Sequence, residues 1–125
     1  ANAIRNSFDA NMKKAETTYN DILKKDSKYF IAYFNLGLIA YDKSDMAKQE
    51  MSLIPPSEDK DGSKAAAKQA EQKAACKQSI QYFEKALELQ PNNRDVLQNL
   101  RMLHIQMGEY DKAKELKEKI ESLGN

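Results

Sequence analysis

Three stretches of this 125-residue chain repeat one pattern at fixed spacing. Ala15 to Ser27, Ser79 to Pro91 and Ala113 to Leu123 can be laid over one another with offsets of 64 and 34 residues. Ala15, Ser79 and Ala113 then coincide, Tyr19 falls on Phe83, and Ile22 falls on Ala86 and Ile120. Such a recurrence constrains the fold strongly. Each copy is one supersecondary unit too small to bury its own apolar face, so neighbouring copies must stack.

The copies are helical in pattern. Phe8, Met12, Ala15, Tyr19 and Ile22 recur at steps of four and three, which is one face of a helix. Ala1 to Asn6 reads as a ragged entry, with Ser7 as N-cap, Asp9 in the first turn, and Lys24 and Lys25 at the C-terminal end. A second helix is expected from near Lys28, with Tyr33, Leu36, Gly37, Ala40, Ser44, Ala47 and Met51 along one seam. Nothing breaks it before Pro55-Pro56, which allows about 25 residues, or roughly 37 Å. Ile54 to Ser63 must be a loop, with Gly62 permitting a turn and Ser63 capping the next helix. From Lys64 to Gln90 no breaker occurs until Pro91. Because the loop is short, these two long helices should lie antiparallel. Asn93 caps a fourth helix carrying Val96, Leu97, Leu100, Leu103, His104 and Met107, which Gly108 ends. A fifth carries Tyr110, Ala113, Leu116, Ile120 and Leu123, with a wet face at Lys112, Glu115, Lys119 and Glu121.

Composition narrows the classes of function. Lys and Arg total 20 against 19 Asp and Glu, and the signs are interspersed, so no face is basic enough to follow a phosphate backbone. A nucleic-acid partner is therefore not expected. No apolar run approaches the roughly 20 residues that span a bilayer, so direct membrane insertion is not expected either. A single cysteine, Cys76, excludes an intrachain disulfide and a multi-cysteine metal site. There is no Gly-rich phosphate loop, no HExxH and no nucleophile elbow, and the expectation is no cofactor, no metal and no enzyme activity.

A 34-residue period of paired helices resembles the tetratricopeptide repeat. Tyr33, Leu36 and Gly37 look like that family's first-helix aromatic, Leu and Gly, and Phe83, Ala86 and Pro91 follow in register. Leu97, Leu100, His104, Gly108, Tyr110 and Ala113 repeat the pattern, with Arg101 in place of Gly. The resemblance implies an all-α superhelix of about two and a half helix pairs in one domain over 1–125. Residues 7–27 would be the second helix of a truncated repeat. Residues 28–93 would be a repeat carrying a 30-residue helical-hairpin insertion, and residues 94–125 the final repeat. The insertion should project roughly 15 to 20 Å beyond its neighbours. At its tip Met46, Met51, Leu53 and Ile54 are expected to zip against Ala66, Ala67 and Ala70. This long-armed form is similar to a subgroup of bacterial envelope repeat proteins, which implies an extracytoplasmic setting, periplasm or cell envelope, over a cytoplasmic one.

In that family the first helix of each pair lines a concave face. Here the face should include Phe34, Leu38, Tyr41, Met102, Ile105 and Gln106. The function implied is a scaffold binding a peptide or partner protein there, without catalysis. The alternative is an architectural segment of a larger envelope protein with no ligand of its own, and self-association through exposed repeat ends is a further expectation. A carboxylate clamp is not expected: Asn35 fits one, but Asp95 and Asn99 stand where clamp members carry cations. His104 and Cys76 are expected to be packed residues rather than a catalytic dyad, since no carboxylate shares a helical face with His104.

Overall fold

A computed structural model describes residues 2–124, the side chain of Asn2 excepted; Ala1 and Asn125 lie outside the described residues. Five helices follow in order: α1 (Asn2–Lys25), α2 (Phe30–Ser52), α3 (Ser63–Leu89), α4 (Arg94–Gln106) and α5 (Tyr110–Ser122). A single 3-10 turn, Pro56–Glu58, sits between α2 and α3, and no strand occurs among the described residues. The helix ends keep the sequence period: Lys25 and Leu89 close α1 and α3, Phe30 and Arg94 open α2 and α4, and each pair is 64 residues apart.

The helices pack mainly with their chain neighbours, most extensively α2 against α3. Partners run in opposite directions along these two: Gly37 meets Phe83 and Ser79, Ser44 meets Cys76, and Glu50 meets Lys68. They are therefore antiparallel, as the short loop requires. At 23 and 27 residues they are about 35 and 40 Å long, against about 20 Å for the 13-residue α4 and α5. Phe83, Ala86, Val96, Leu100, Leu103, Cys76 and Ile80 form the buried centre where α3 meets α4, with Phe30, Tyr33, Phe34 and Leu38 closing it from α2.

Two helix ends behave as their residues dictate. The Asn93 side chain accepts a hydrogen bond from the Val96 amide at 3.1 Å, capping α4. Gly108 adopts φ 74°, and the Glu109 amide donates back to the His104 carbonyl at 2.8 Å while the Gly108 amide donates to Ile105. That paired pattern satisfies the last carbonyls of α4 and turns the chain into α5.

Three expectations fail. α1 starts at Asn2, so Ser7 lies inside the helix rather than capping it. Nothing among Ala3, Ile4 and Arg5 opposes helix, and Arg5 braces the first turns by pairing with Asp9 at 3.0 Å. Ser63 is the first residue of α3 rather than its cap; Gly62, at φ 74°, precedes it, and Asp59 accepts from the amides of Lys64 and Ala65 at 2.8 and 3.0 Å. The alanine zipper is absent as well: Ala66, Ala67 and Ala70 are exposed, and Leu53 is 78% exposed. The reason is helical phase. Counting back from Phe83 through Ser79, Cys76 and Gln72 brings Lys68 and Ala65 to the seam, and turns those three alanines outward.

The distal seam is ionic instead. Lys68 lies between Glu50, at 3.1 Å, and Glu71, at 3.3 Å, and Arg5 of α1 pairs with both carboxylates. The long hairpin is thus not held by its own seam alone; α1 lies along it and ties α2 to α3.

Candidate functional site

Phe34, Leu38 and Tyr41 follow one another on α2 at helical spacing, as Met102, Ile105 and Gln106 do on α4. The structure treats them unequally. Phe34 stacks on Phe30 and meets the Phe83 ring edge-on, both at 5.8 Å between ring centres, so much of it is core. Leu38 and Tyr41 are half-buried against the same centre. Met102 is the most open of the six, at 43% exposure.

Gln106 has a structural engagement. Its Oε1 accepts from Ser44 Oγ at 3.2 Å and from Cys76 Sγ at 3.3 Å, which ties the end of α4 to the middle of α2 and α3. Tyr41 lies beside it. Burial, and then the charge of Asp45, hold the Tyr41 hydroxyl above the ordinary phenol value, while Gln106 pulls the other way. Gln106 thus brings the α4 face alongside the α2 face at Tyr41. The sequence pattern misses one residue: Ile31, half exposed at 50%, stands two turns before Leu38 on the same line of α2. Its i, i+7 spacing to Leu38 is the signal that could have found it, but a first-turn position is easily taken for part of the helix entry.

The reactive side chains are committed elsewhere. Cys76 is 1% exposed and shares a 3.0 Å contact with Ser44 Oγ. Burial raises its pKa, more than the Ser44 hydrogen bond lowers it, so the thiol stays protonated. His104 does have a carboxylate partner: Nδ1 lies 3.0 Å from Glu109 Oε1. Glu109 does not share a face of α4 with it but lies beyond the helix, and the turn at Gly108 brings it back. Hydrogen bonds from His104 and then Lys112 hold the Glu109 carboxyl below its ordinary value.

Apart from the α2–α4 face, an open groove of about 700 Å³ is lined by Arg5, Asp9, Lys43, Glu71 and Gln78, where α1 lies beside α2 and α3. There Arg5 pairs with Asp9 and Glu71, and Lys43 with Glu16 of α1. Among the described residues no group of three or more His, Cys, Asp or Glu side chains could hold a metal ion, and no helix is long and apolar enough to cross a membrane.

No curated protein sequence matches the chain closely enough to count as a relative. A family model does match, described as the tetratricopeptide repeat, over residues 74–121. That span takes in the proximal half of α3, all of α4 and nearly all of α5, the part of the fold in which Ser79, Phe83, Ala86, Leu97, Leu100 and Ala113 are buried in register. Among the described residues, which form five helices packed in sequence, residues 74–121 form a tetratricopeptide repeat.

Proposed function

We propose that the chain is a non-enzymatic interaction scaffold that binds an extended peptide or a helix of a partner protein across α2 and α4. The contact residues are Leu38, Tyr41, Met102 and Ile105, joined by Ile31, with Phe34 and Gln106 supporting them from the core. The observation that carries this reading is an apolar line left open on successive first helices. Ile31 is 50% and Met102 43% exposed, beside half-buried Leu38, Tyr41 and Ile105. Residues 28–93 are one repeat whose hairpin is lengthened by about 30 residues, and residues 94–125 the next, in keeping with the 64- and 34-residue offsets. Cys76 is buried and His104 pairs with Glu109 rather than with the thiol, in keeping with packed roles for both.

A peptide-display selection on the purified chain tests this. Selected peptides should bind the parent and lose affinity about tenfold or more with Met102→Glu or Ile31→Asp, at unchanged helical content. Peptides that bind both variants as well as the parent would refute it.

A second reading, an architectural segment of a larger bacterial envelope protein, draws support from α1. Its Ile4 is 71% exposed, and none of its residues with a described side chain is fully buried. If self-association persists in Met102→Glu and no peptide is selected, that reading replaces the first.

A further inference from the structure

The α2–α4 face lies between two successive first helices rather than at an end of the stack, and its charges are of one sign. At steps of three and four from Ile31 to Asp45 on α2, and from Asp95 to Gln106 on α4, it holds three aspartates and no Lys, Arg or His. Asp45 continues the seven-residue step of Ile31 and Leu38, with Asp42 one turn before it beside Tyr41. Asp95 stands seven residues before Met102. None of the three forms an ion pair among the described residues, whereas Glu16 pairs with Lys43, Glu71 with Arg5 and Lys68, and Glu109 with Lys112. Cations do stand at the edges of the face. Lys48, one turn beyond Asp45, is exposed, and Arg101 donates to Gln98 at 3.5 Å. The negative field reaches inward. After burial, the charge of Asp45 is the next cause that raises the Tyr41 hydroxyl and the Asp42 carboxyl, and it raises the Cys76 thiol as well.

We propose that the segment bound on this face is basic: a peptide of a partner protein with Lys or Arg on either side of apolar residues. The proposal rests on the reading of α2 and α4 as the binding surface, and names the chemistry of what that surface takes. The apolar residues cover Ile31, Leu38 and Met102. One flanking cation reaches Asp42 and Asp45, and the other reaches Asp95. The 64-residue register sets Asp95 level with Ile31, so the two acidic ends lie about 21 Å apart along the helices. In an extended peptide that separation is about six residues. Asp42 and Asp45 are like charges one turn apart, and a cation placed between them relieves their repulsion. The apolar wall beside them excludes water, so the attraction is screened less than on an open surface. An acidic segment would meet the same carboxylates as a repulsion at both ends, which makes the face selective as well as adhesive.

The test pans a fully random peptide-display library on the full chain and measures the selected peptides by fluorescence anisotropy. The expected peptides are enriched in Lys and Arg over the input library. The variant Asp42→Asn/Asp45→Asn should bind them about five- to tenfold more weakly at unchanged helical content, and added salt should weaken the parent's binding. Glu84→Gln/Glu88→Gln, which removes two exposed carboxylates of α3, should leave binding unchanged. Neutral or acidic peptides that lose affinity with Met102→Ser would overturn the proposal and leave the α2–α4 surface standing. Basic peptides that bind Asp42→Asn/Asp45→Asn as tightly as the parent would overturn it too. A library that yields no binder overturns both readings.

Discussion

Gly37→Ala gives the sharpest check on how α2 and α3 fit. In an exposed helix interior, replacing glycine by alanine stabilises by about 1 kcal/mol. Here the added Cβ would lie 2.8 to 2.9 Å from three atoms of the Phe83 ring. That ring is 0% exposed and is held edge-on by Phe34, so it cannot swing aside into solvent. Overpacking of this kind costs about 1–3 kcal/mol. Separating the helices would also stretch the 2.7 Å bond from Ser79 to the Gly37 carbonyl, a group whose loss costs roughly 1 kcal/mol. Against the propensity gain, the net expectation is a destabilisation of about 2 kcal/mol, or a Tm lower by roughly 6–10 °C. Thermal and urea unfolding monitored by circular dichroism measure it, with the double variant Gly37→Ala/Phe83→Leu completing a cycle. In the Phe83→Leu background the alanine should be neutral or stabilising. A Gly37→Ala chain that melts higher than the parent would refute the close approach.

Three further outcomes rest on named contacts. Burial raises the Glu71 pKa, but hydrogen bonds from Arg5 and Lys68 outweigh it and leave the carboxyl below its ordinary value. A group lowered on folding adds stability above its unfolded pKa, about 4.3, and that stability is lost as pH falls through the folded value. Amide protection in the first turns of α1, measured relative to the intrinsic exchange rate at each pH, should therefore fall below about pH 4, and Arg5→Gln should bring the same loss of protection to neutral pH. Asn93→Ala removes the 3.1 Å cap on the Val96 amide and should cost about 1 kcal/mol in urea unfolding. Phe34→Ala should cost about 2 kcal/mol through its lost contacts with Phe30 and Phe83, so reduced partner capture by that variant has to be read alongside its stability.

The elements are legible in the sequence because their stops are local chemistry. Pro55-Pro56, Pro91, Asn93 and Gly108 each act on the backbone within a few residues, and the helices end where they direct. The register is legible for a different reason: Ser79, Phe83 and Ala86 must meet the small residues of α2 in any stacked pair. What cannot be read depends on phase or distance. Ala66, Ala67 and Ala70 look like a seam by composition, yet the twist set by Phe83 turns them to water. Arg5 finds Glu50 and Glu71 across 45 and 66 residues of sequence, a convergence that exists only once three helices are packed. Gln106 looks by its position like part of an open face, but a carboxamide beside buried Ser44 and Cys76 hydrogen-bonds to both. His104 loses its apparent isolation to Glu109 because a Gly at φ 74° folds the chain back.

The claim that α2 and α4 form the working surface is tested most directly by site-specific photo-crosslinking. A benzophenone amino acid would replace Ile31, Met102 or, as a control on the exposed face of α5, Lys117. Cross-links to the same partner from positions 31 and 102, removed by a selected peptide and absent from 117, are the predicted result. Cross-links that form from 117 and not from 31 or 102, or that the peptide leaves untouched, would contradict it.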